Sequence, residues 1–254
     1  MSGPKRFFWS LLSIVITAVV LLVSASGQTA QAASGAGEPG LVGRTIVLDP
    51  GHGAPDPGAR SSSGILEKDV TLSVSLKLAD LLRQAGANVV LTRWVDDDLA
   101  SEHDRRVGRR QSTDLRNRVL TAKAGHADAF ISIHCNAVPS ERWMGAQTLY
   151  QRDNPDGEHL AKVIQYRFRE LLLPTAREPA ATSTLYLLKR IPGPAVIAEI
   201  GFLTNPEESA QLASQGYQRT VAFSIYVALY DYFSQQSSVP VPDSTVTVRD
   251  LREG

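Results

Sequence analysis

Short apolar runs alternate along this chain with longer segments whose apolar residues recur at helical spacing. Because parallel strands need a long crossover between them, usually a helix, this alternation predicts an α/β fold. We expect a single three-layer domain with a central, mainly parallel twisted sheet flanked by helices, and with function at the carboxyl ends of its strands. The predicted strands are 45–48, 88–92, 129–133, 146–151, 185–188 and 194–202, and the predicted helices are 67–85, 114–124, 157–172 and 217–233.

The first 32 residues form a predicted export segment. Lys5 and Arg6 precede an apolar run over residues 7–23, and small residues follow it. The segment is either cleaved, after Ala30-Gln31-Ala32 or Val23-Ser24-Ala25, or retained as a membrane anchor through residues 7–23, because 17 residues is the lower limit of a bilayer span. In both cases the domain lies outside the cytoplasmic membrane.

The remaining chain divides into three predicted parts: a linker over residues 33–43, one catalytic domain over 44–234 and a flexible tail over 235–254. Removing residues 1–32 leaves 24 basic and 26 acidic residues, a balance that gives no indication of a nucleic-acid partner. The single cysteine, Cys135, excludes an intrachain disulfide, so the core or a metal must stabilise this exported domain.

Glu199 is a carboxylate on the otherwise apolar predicted strand 194–202. Burying a lone carboxylate costs several kcal/mol or raises its pKa, so a glutamate at this position needs a partner. A metal-bound water would be a partner that makes Glu199 a catalytic base and acid.

Three residues elsewhere are candidate metal ligands. His52 follows the first strand in a glycine-flanked turn, Glu67 begins the first helix, and His134 follows the strand 129–133. Each has an ordinary alternative role, as a polar turn residue, a helix-capping acid or a core histidine. Together, two imidazoles and one carboxylate are the ligand set of a catalytic zinc site. Cys135 is expected to point to the opposite face from His134 and to stay out of the site.

Four segments around these residues resemble the zinc-dependent N-acetylmuramoyl-L-alanine amidases of type 3, which cut bacterial peptidoglycan. They are Leu48-Asp49-Pro50-Gly51-His52-Gly53, Leu66-Glu67-Lys68-Asp69, Ser132-Ile133-His134-Cys135-Asn136-Ala137 and Ala198-Glu199-Ile200-Gly201-Phe202-Leu203-Thr204-Asn205. The resemblance implies one Zn²⁺ per chain on His52, Glu67 and His134, with Glu199 as the catalytic residue. It also implies hydrolysis of the bond between N-acetylmuramic acid and L-alanine. Ala54 departs from the glycine usual in this family and would be strained if it required a positive φ.

A finer resemblance is to the family members that act on spore cortex during sporulation and germination, whose product matures to muramic δ-lactam. It is based on the stretches 109–119 and 139–147 and on the absence of wall-binding repeats. This resemblance implies a location in the cell wall or the forespore intermembrane space. A sporulation-specific lipoprotein or a deacetylase would be a possible partner, which the sequence does not identify.

Further residues are candidates for substrate contacts. Trp143 could stack on a sugar, Asn136 could orient His134 or the zinc-bound water, and Arg116 could contact substrate. The charge run of Asp96 to Asp98 and Arg105 to Arg110 is either a solvated loop or a contact for glycan or peptide carboxylates. Two other functions stay open at this stage: an exported zinc peptidase of another specificity, and a non-catalytic wall-binding regulator.

Overall fold

A computed structural model describes residues 40–234, so the predicted export segment, residues 33–39 of the linker and the predicted tail lie outside the described residues. Twelve elements follow one another along the described chain. They are β1 (Thr45–Pro50), α1 (Glu67–Gln84), β2 (Asn88–Leu91), α2 (Glu102–Arg106), α3 (Arg110–Ala124), β3 (Ala129–Asn136), β4 (Gln147–Gln151), α4 (Pro155–Leu171), β5 (Ala180–Thr182), β6 (Ala195–Phe202), α5 (Pro206–Ala213) and α6 (Gln215–Phe233).

All six strands form one sheet in the order β2-β1-β3-β6-β4-β5. The first four of these strands pair in parallel, whereas β4 runs antiparallel to β6 and β5 runs parallel to β4. The fold is therefore the predicted α/β domain with a mainly parallel sheet. Among residues 40–234, no helix combines the length and the apolar character needed to cross a membrane.

The central strands are apolar on both sides because each side of the sheet faces a different set of helices. In β6, Val196, Ala198 and Ile200 pack into the core beneath α1, α4 and α6, whereas Ala195 and Ile197 pack into a second core beneath α3. This period of two also fixes the sides on which polar residues project. His134 and Glu199 occupy the α3 side of β3 and β6, whereas Cys135 is buried in the first core.

One predicted strand is wrong. Residues 185–188 form a helical turn, in which the amide N–H groups of Lys189 and Ile191 donate to the carbonyls of Leu185 and Leu187. The strand in this region, β5, instead lies a few residues earlier. Leu187 and Leu188 are buried, so the apolar run indicated burial correctly, but such a short run does not distinguish a strand from a buried turn.

Two helices were not predicted, α2 and α5, and α3 begins four residues before its predicted start. Asn205 caps α5, because its side chain accepts hydrogen bonds from the amides of Glu207 and Glu208 at the start of that helix. Short helices of this kind carry too few turns to show an apolar periodicity, and their ends are recognised mainly by their caps.

The packed domain begins before the predicted boundary at residue 44. Leu41 is 1% exposed and belongs to the core beneath α1 and α6, whereas its neighbour Val42 is 54% exposed. The last residues of the predicted linker therefore belong to the folded domain.

We predict that Leu41→Ala lowers the free energy of unfolding by about 2–4 kcal/mol, because it removes buried methyl groups and leaves a cavity. Val42→Ala, one residue away, is the matched control and should change stability by less than about 1 kcal/mol. Urea unfolding followed by circular dichroism measures both values. Equal effects of the two substitutions would contradict the assignment of Leu41 to the core.

Candidate active site

Three of the predicted site residues converge at the carboxyl edge of the sheet. His52 lies in the turn after β1, Glu67 is the first residue of α1, and His134 lies near the end of β3. One ligand atom from each lies within 4.8 Å of the others. Glu67 stands between the two rings: its Oε2 is 3.1 Å from His52 Nε2 and its Oε1 is 3.0 Å from His134 Nδ1.

The turn that presents His52 depends on its neighbouring glycines. A Cβ atom on Gly51 would lie 2.5 Å from the His134 ring, and one on Gly53 would lie 2.4 Å from the carbonyl oxygen of Asp97. His52 itself has a φ of 62°, a left-handed conformation that costs a non-glycine residue on the order of 1–3 kcal/mol. Ala54 does not have a positive φ, so its departure from the usual family glycine introduces no such strain.

Two buried arginines hold this turn by its backbone carbonyls. Arg118 donates to the carbonyl oxygens of Pro50 and His52 at 2.8 and 2.6 Å. Arg93 donates to the carbonyls of Pro50 and Gly51 at 3.0 and 2.9 Å from the other side. Three consecutive carbonyls therefore accept charged donors, which stabilise the left-handed turn at His52.

Asp49 anchors the same network from inside the sheet. Its carboxylate is fully buried and accepts hydrogen bonds from Arg118 Nη1 at 2.7 Å and from the hydroxyls of Thr92 and Ser132 at 2.6 Å each. Burial by itself would raise the pKa of Asp49, but the Arg118 charge and these hydrogen bonds outweigh it and lower that pKa. Asp49 therefore stays ionised and fixes Arg118 beneath the turn.

Asp56 is a site residue that the sequence reasoning missed. Its Oδ2 lies 2.9 Å from His52 Nδ1, and its Oδ1 accepts the amide N–H of Gly58. A carboxylate on one ring nitrogen of a histidine fixes the ring and directs the other nitrogen toward a metal. The available signal was the Asp-Pro-Gly sequence at residues 56–58, a turn that returns the chain toward His52.

The charges of the three-residue group stabilise one another. Burial alone would raise the pKa of Glu67, but hydrogen bonds and charges from His134 and His52 hold it well below its usual range. Burial alone would lower the pKa of His52, yet Glu67 and Asp56 raise it to about 9. In addition, the amides of Ala59 and Cys135 donate to Glu67 at 2.8 and 2.9 Å. Glu67 is therefore an ionised, fixed carboxylate.

Glu199 lies directly beside this group. It is the register partner of His134 on the neighbouring strand β6. Its Oε2 is buried and has no hydrogen-bond partner among residues 40–234. Burial raises the pKa of Glu199 to about 7, against the opposing charges of His134 and His52. The expected rise of this pKa by the apolar strand is thus confirmed, and the carboxyl group can exchange a proton near neutral pH.

The arrangement fits a divalent metal ion with nitrogen and oxygen ligands. The ligand atoms of two imidazoles and one ionised carboxylate lie within 4.8 Å of one another. The unpartnered oxygen of Glu199 belongs to the neighbouring strand. Cys135, as expected, is not a member of this group. Its side chain lies on the other side of β3, and burial raises its pKa well above the usual value.

The other predicted site residues are Asn136, Arg116 and Trp143, the candidates for substrate contacts. Asn136 is half-buried at the end of β3, where its backbone carbonyl accepts the amide N–H of Leu203. Arg116 is exposed on α3. Trp143 is 54% exposed in the loop after β3, and the guanidinium of Arg177 stacks between Trp143 and Phe202 at 4.9 and 4.6 Å from their ring centroids.

Ion pairs join the two segments of the charge run, Asp96 to Asp98 and Arg105 to Arg110. Asp98, whose side chain is 1% exposed, pairs with Arg105 at 2.7 Å and with Arg110 at 3.0 Å. It connects the short helix α2 to the start of α3. Arg110 therefore has a fixed position, and it lines the same cleft as His52 and His134.

Comparisons with known proteins place this domain in a defined group. The N-acetylmuramoyl-L-alanine amidase family model matches residues 46–231, which include all residues of the site. The germination-specific N-acetylmuramoyl-L-alanine amidase of Bacillus subtilis (strain 168) is 42% identical over 200 residues, covering 79% of this chain and 84% of the relative.

Solved structures agree with the sequence comparisons. The CwlD amidase from Clostridioides difficile, in complex with the GerS lipoprotein, is 36% identical with a TM-score of 0.73, covering 76% of this chain and 99% of that one. The N-acetylmuramoyl-L-alanine amidase AmiC2 of Nostoc punctiforme is 30% identical with a TM-score of 0.65, covering 76% and 98%. The similarity therefore extends over almost the whole described domain.

We predict that Glu199→Gln stabilises the metal-free protein increasingly as the pH rises from about 5 to about 8. In the unfolded chain Glu199 ionises near its usual pKa of 4.5, whereas in the folded protein its pKa is about 7. Between pH 4.5 and pH 7 the unfolded chain has released this proton while the folded protein still holds it. The free energy of unfolding of the wild type therefore falls as the pH rises through this range, by on the order of 3 kcal/mol in total. Glutamine does not ionise and avoids this loss.

Urea unfolding of both chelator-treated proteins at the two pH values measures the difference. Glu207→Gln, which neutralises an exposed carboxylate on α5, is the control and should show no such trend. A stability difference between wild type and Glu199→Gln that is the same at both pH values would contradict the raised pKa.

Proposed function

The chain belongs to the N-acetylmuramoyl-L-alanine amidase family, and we propose that it works with one zinc ion held by His52, Glu67 and His134. As an amidase of this family it hydrolyses the bond between N-acetylmuramic acid and L-alanine in bacterial peptidoglycan. The observation that carries the proposal is the buried, unpartnered Oε2 of Glu199 beside a ready set of three metal ligands. Burying an oxygen without a hydrogen-bond partner costs free energy. A catalytic role for Glu199 explains why the fold keeps one there.

The proposed chemistry divides between the metal and the protein. A zinc ion held by His52, Glu67 and His134 would supply Lewis-acid polarisation of the amide carbonyl and acidification of water. Glu199 takes the proton from the attacking water and delivers it to the nitrogen of the leaving L-alanine. Water thus adds across the amide bond, which leaves a lactyl carboxylate on the sugar and a free amine on the peptide. Asp56 keeps the His52 ring in place through its bond to Nδ1.

We expect Glu199→Ala to lower the release of peptide from purified peptidoglycan by about 10²-fold to 10⁴-fold, the usual effect of removing a general acid and base. Its zinc content should stay near one per chain, because Glu199 is not one of the three ligands. Mass spectrometry of the products and elemental analysis measure these results. In the wild-type digest, the products should be intact peptides with N-terminal alanine and muramic acid residues without peptide.

Two further variants make the result specific. His134→Ala should lose the metal as well as the activity, whereas Glu207→Ala, at an exposed glutamate on α5, should retain both. Cleavage within the stem peptide would indicate a peptidase, and binding to the wall without release of peptide would indicate a regulator. Full activity of zinc-loaded Glu199→Ala would refute the proposed role of Glu199.

The substrate in the cell is proposed to be spore cortex, on the basis of the 42% identity to the germination-specific amidase of Bacillus subtilis. Removal of the peptide exposes the lactyl carboxylate, and removal of the N-acetyl group by a deacetylase would expose the amine that closes the muramic δ-lactam. We predict that spores lacking this chain contain little or no muramic δ-lactam. Muropeptide analysis of their cortex measures it, and a normal lactam content would contradict the assignment.

The remaining proposals concern location and attachment. We propose that residues 1–32 export the domain to the cell wall or the forespore intermembrane space, as a cleaved signal or as an anchor through residues 7–23. Residues 33–39 would form the linker and residues 235–254 a tail. A lipoprotein is a proposed partner, because the similar CwlD amidase is described in complex with the GerS lipoprotein. Cell fractionation, and co-purification from sporulating cells, are the corresponding measurements.

A further inference from the structure

A narrow cleft opens beside the three ligands on the α3 side of the sheet. Its lining includes His52 and His134 from the three-ligand group, Arg110, Gln111 and Leu115 from α3, and Leu187. The cleft therefore joins the three ligands to the first turns of α3.

The size of the cleft selects which part of the substrate can enter it. Its enclosed volume is about 90 Å³, on a scale where one water molecule needs roughly 10–15 Å³. Pockets for ligands of drug size enclose about 300–1,000 Å³, so this cleft is small for a whole sugar ring. A small side chain such as the methyl group of alanine suits this volume, and Leu115 and Leu187 give the cleft an apolar lining. The cleft thus suits the peptide side of the bond.

The acidic groups that line the cleft are already paired within the protein. Asp49 accepts from Arg118, Thr92 and Ser132. Asp56 holds His52, and the nearby charges of His52 and Arg110 help to lower the pKa of Asp56. Asp114 accepts from Arg118 Nε at 2.9 Å and from the amide of Leu99. Arg118 in turn uses its donors on Asp49, Asp114 and the turn carbonyls, so it has little capacity left for a ligand.

Arg110 is different. Within residues 40–234, its guanidinium makes one hydrogen bond, from Nη1 to Asp98 at 3.0 Å, which leaves the other N–H groups free to donate. Asp98 is itself fixed by Arg105 and by the amide of Ala100. The side chain of Arg110 is 28% exposed. Asp98 thus fixes the Arg110 guanidinium in the lining of the cleft, and the remaining N–H groups can still donate. A planar guanidinium with free donors suits a planar anion such as a carboxylate.

We propose that Arg110 is a specificity residue that binds the free carboxylate of the second residue of the stem peptide, while the L-alanine methyl lies between Leu115 and Leu187. In peptidoglycan this second residue is D-glutamate linked through its side chain, so its α-carboxylate is either free or amidated. The inference rests on the proposed function, because it orients the peptide from the bond that Glu199 cleaves.

The test compares two soluble muropeptides that differ only at this group, one with L-Ala–D-Glu and one with L-Ala–D-isoglutamine. Wild-type kcat/KM should be roughly tenfold higher for the carboxylate form, because a charge-assisted hydrogen bond is lost in the amide. Arg110→Gln should lower kcat/KM for the carboxylate form to the level of the amide form, chiefly through KM. Its effect on kcat/KM for the amide form should be much smaller, because the amide carries no charge for Arg110 to pair with. Arg110→Lys, which keeps the charge without the planar fork, should fall between them.

A matched control separates contact from overall charge. Arg109→Gln removes the same charge from the preceding residue, which is exposed and does not line the cleft, and it should retain the full preference. A second measurement avoids turnover: in the Glu199→Ala protein, calorimetric affinity for the carboxylate muropeptide should fall roughly tenfold when Arg110→Gln is added. Thermal melting confirms that each variant is folded.

The outcomes distinguish this inference from the proposed function. If the wild type hydrolyses both muropeptides equally well, the amidase assignment stands and the role of Arg110 is overturned. Loss of the preference in Arg109→Gln or in Arg116→Gln, with Arg110→Gln unaffected, would also overturn it. If the wild type hydrolyses neither muropeptide, the proposed function and the inference fail together.

Discussion

The site depends on the buried ion pair between Asp49 and Arg118. Because removing two charges from water offsets most of their attraction, a pair of this kind adds little net stability. Its effect here is geometric. Asp49 fixes the guanidinium, and the guanidinium holds the carbonyl of His52 at 2.6 Å in a left-handed conformation. The strain of the turn is thus balanced by hydrogen bonds that end in the centre of the sheet.

Glu67 and Glu199 lie near each other, but their surroundings shift their pKa values in opposite directions. Glu67 is surrounded by donors, two imidazoles and two backbone amides, which hold its pKa well below the usual range. Glu199 has no hydrogen-bond donor for its buried Oε2 within the described chain, and burial raises its pKa to about 7. An ionised carboxylate suits a metal ligand, and one that titrates near neutral pH suits proton transfer.

The period of two along the strands organises the site as well as the core. Asp49, His134 and Glu199 all project to the α3 side, where Arg118 and the cleft lie, and the second core beneath α3 occupies the same side. The thicker core on the other side contains Cys135 and the helices α1, α4 and α6. One side of the sheet therefore carries most of the packing, and the other carries the chemistry at its edge.

Strand periodicity and the Asp-Pro-Gly-His turn are local patterns, so the sequence predicted the fold class, the four residues that meet at the carboxyl edge of the sheet and the position of Cys135 outside their group. It did not determine the turn at 185–188, the helices α2 and α5, or the roles of Asp56 and Arg110. These depend on which segments meet in space: Asp98 joins Arg110 to α2, and Leu187 closes the cleft from a distant part of the chain. The charge states of the site follow from the folded arrangement, because burial and partner distance set the pKa values of Glu67 and Glu199, and neither quantity is a property of local sequence.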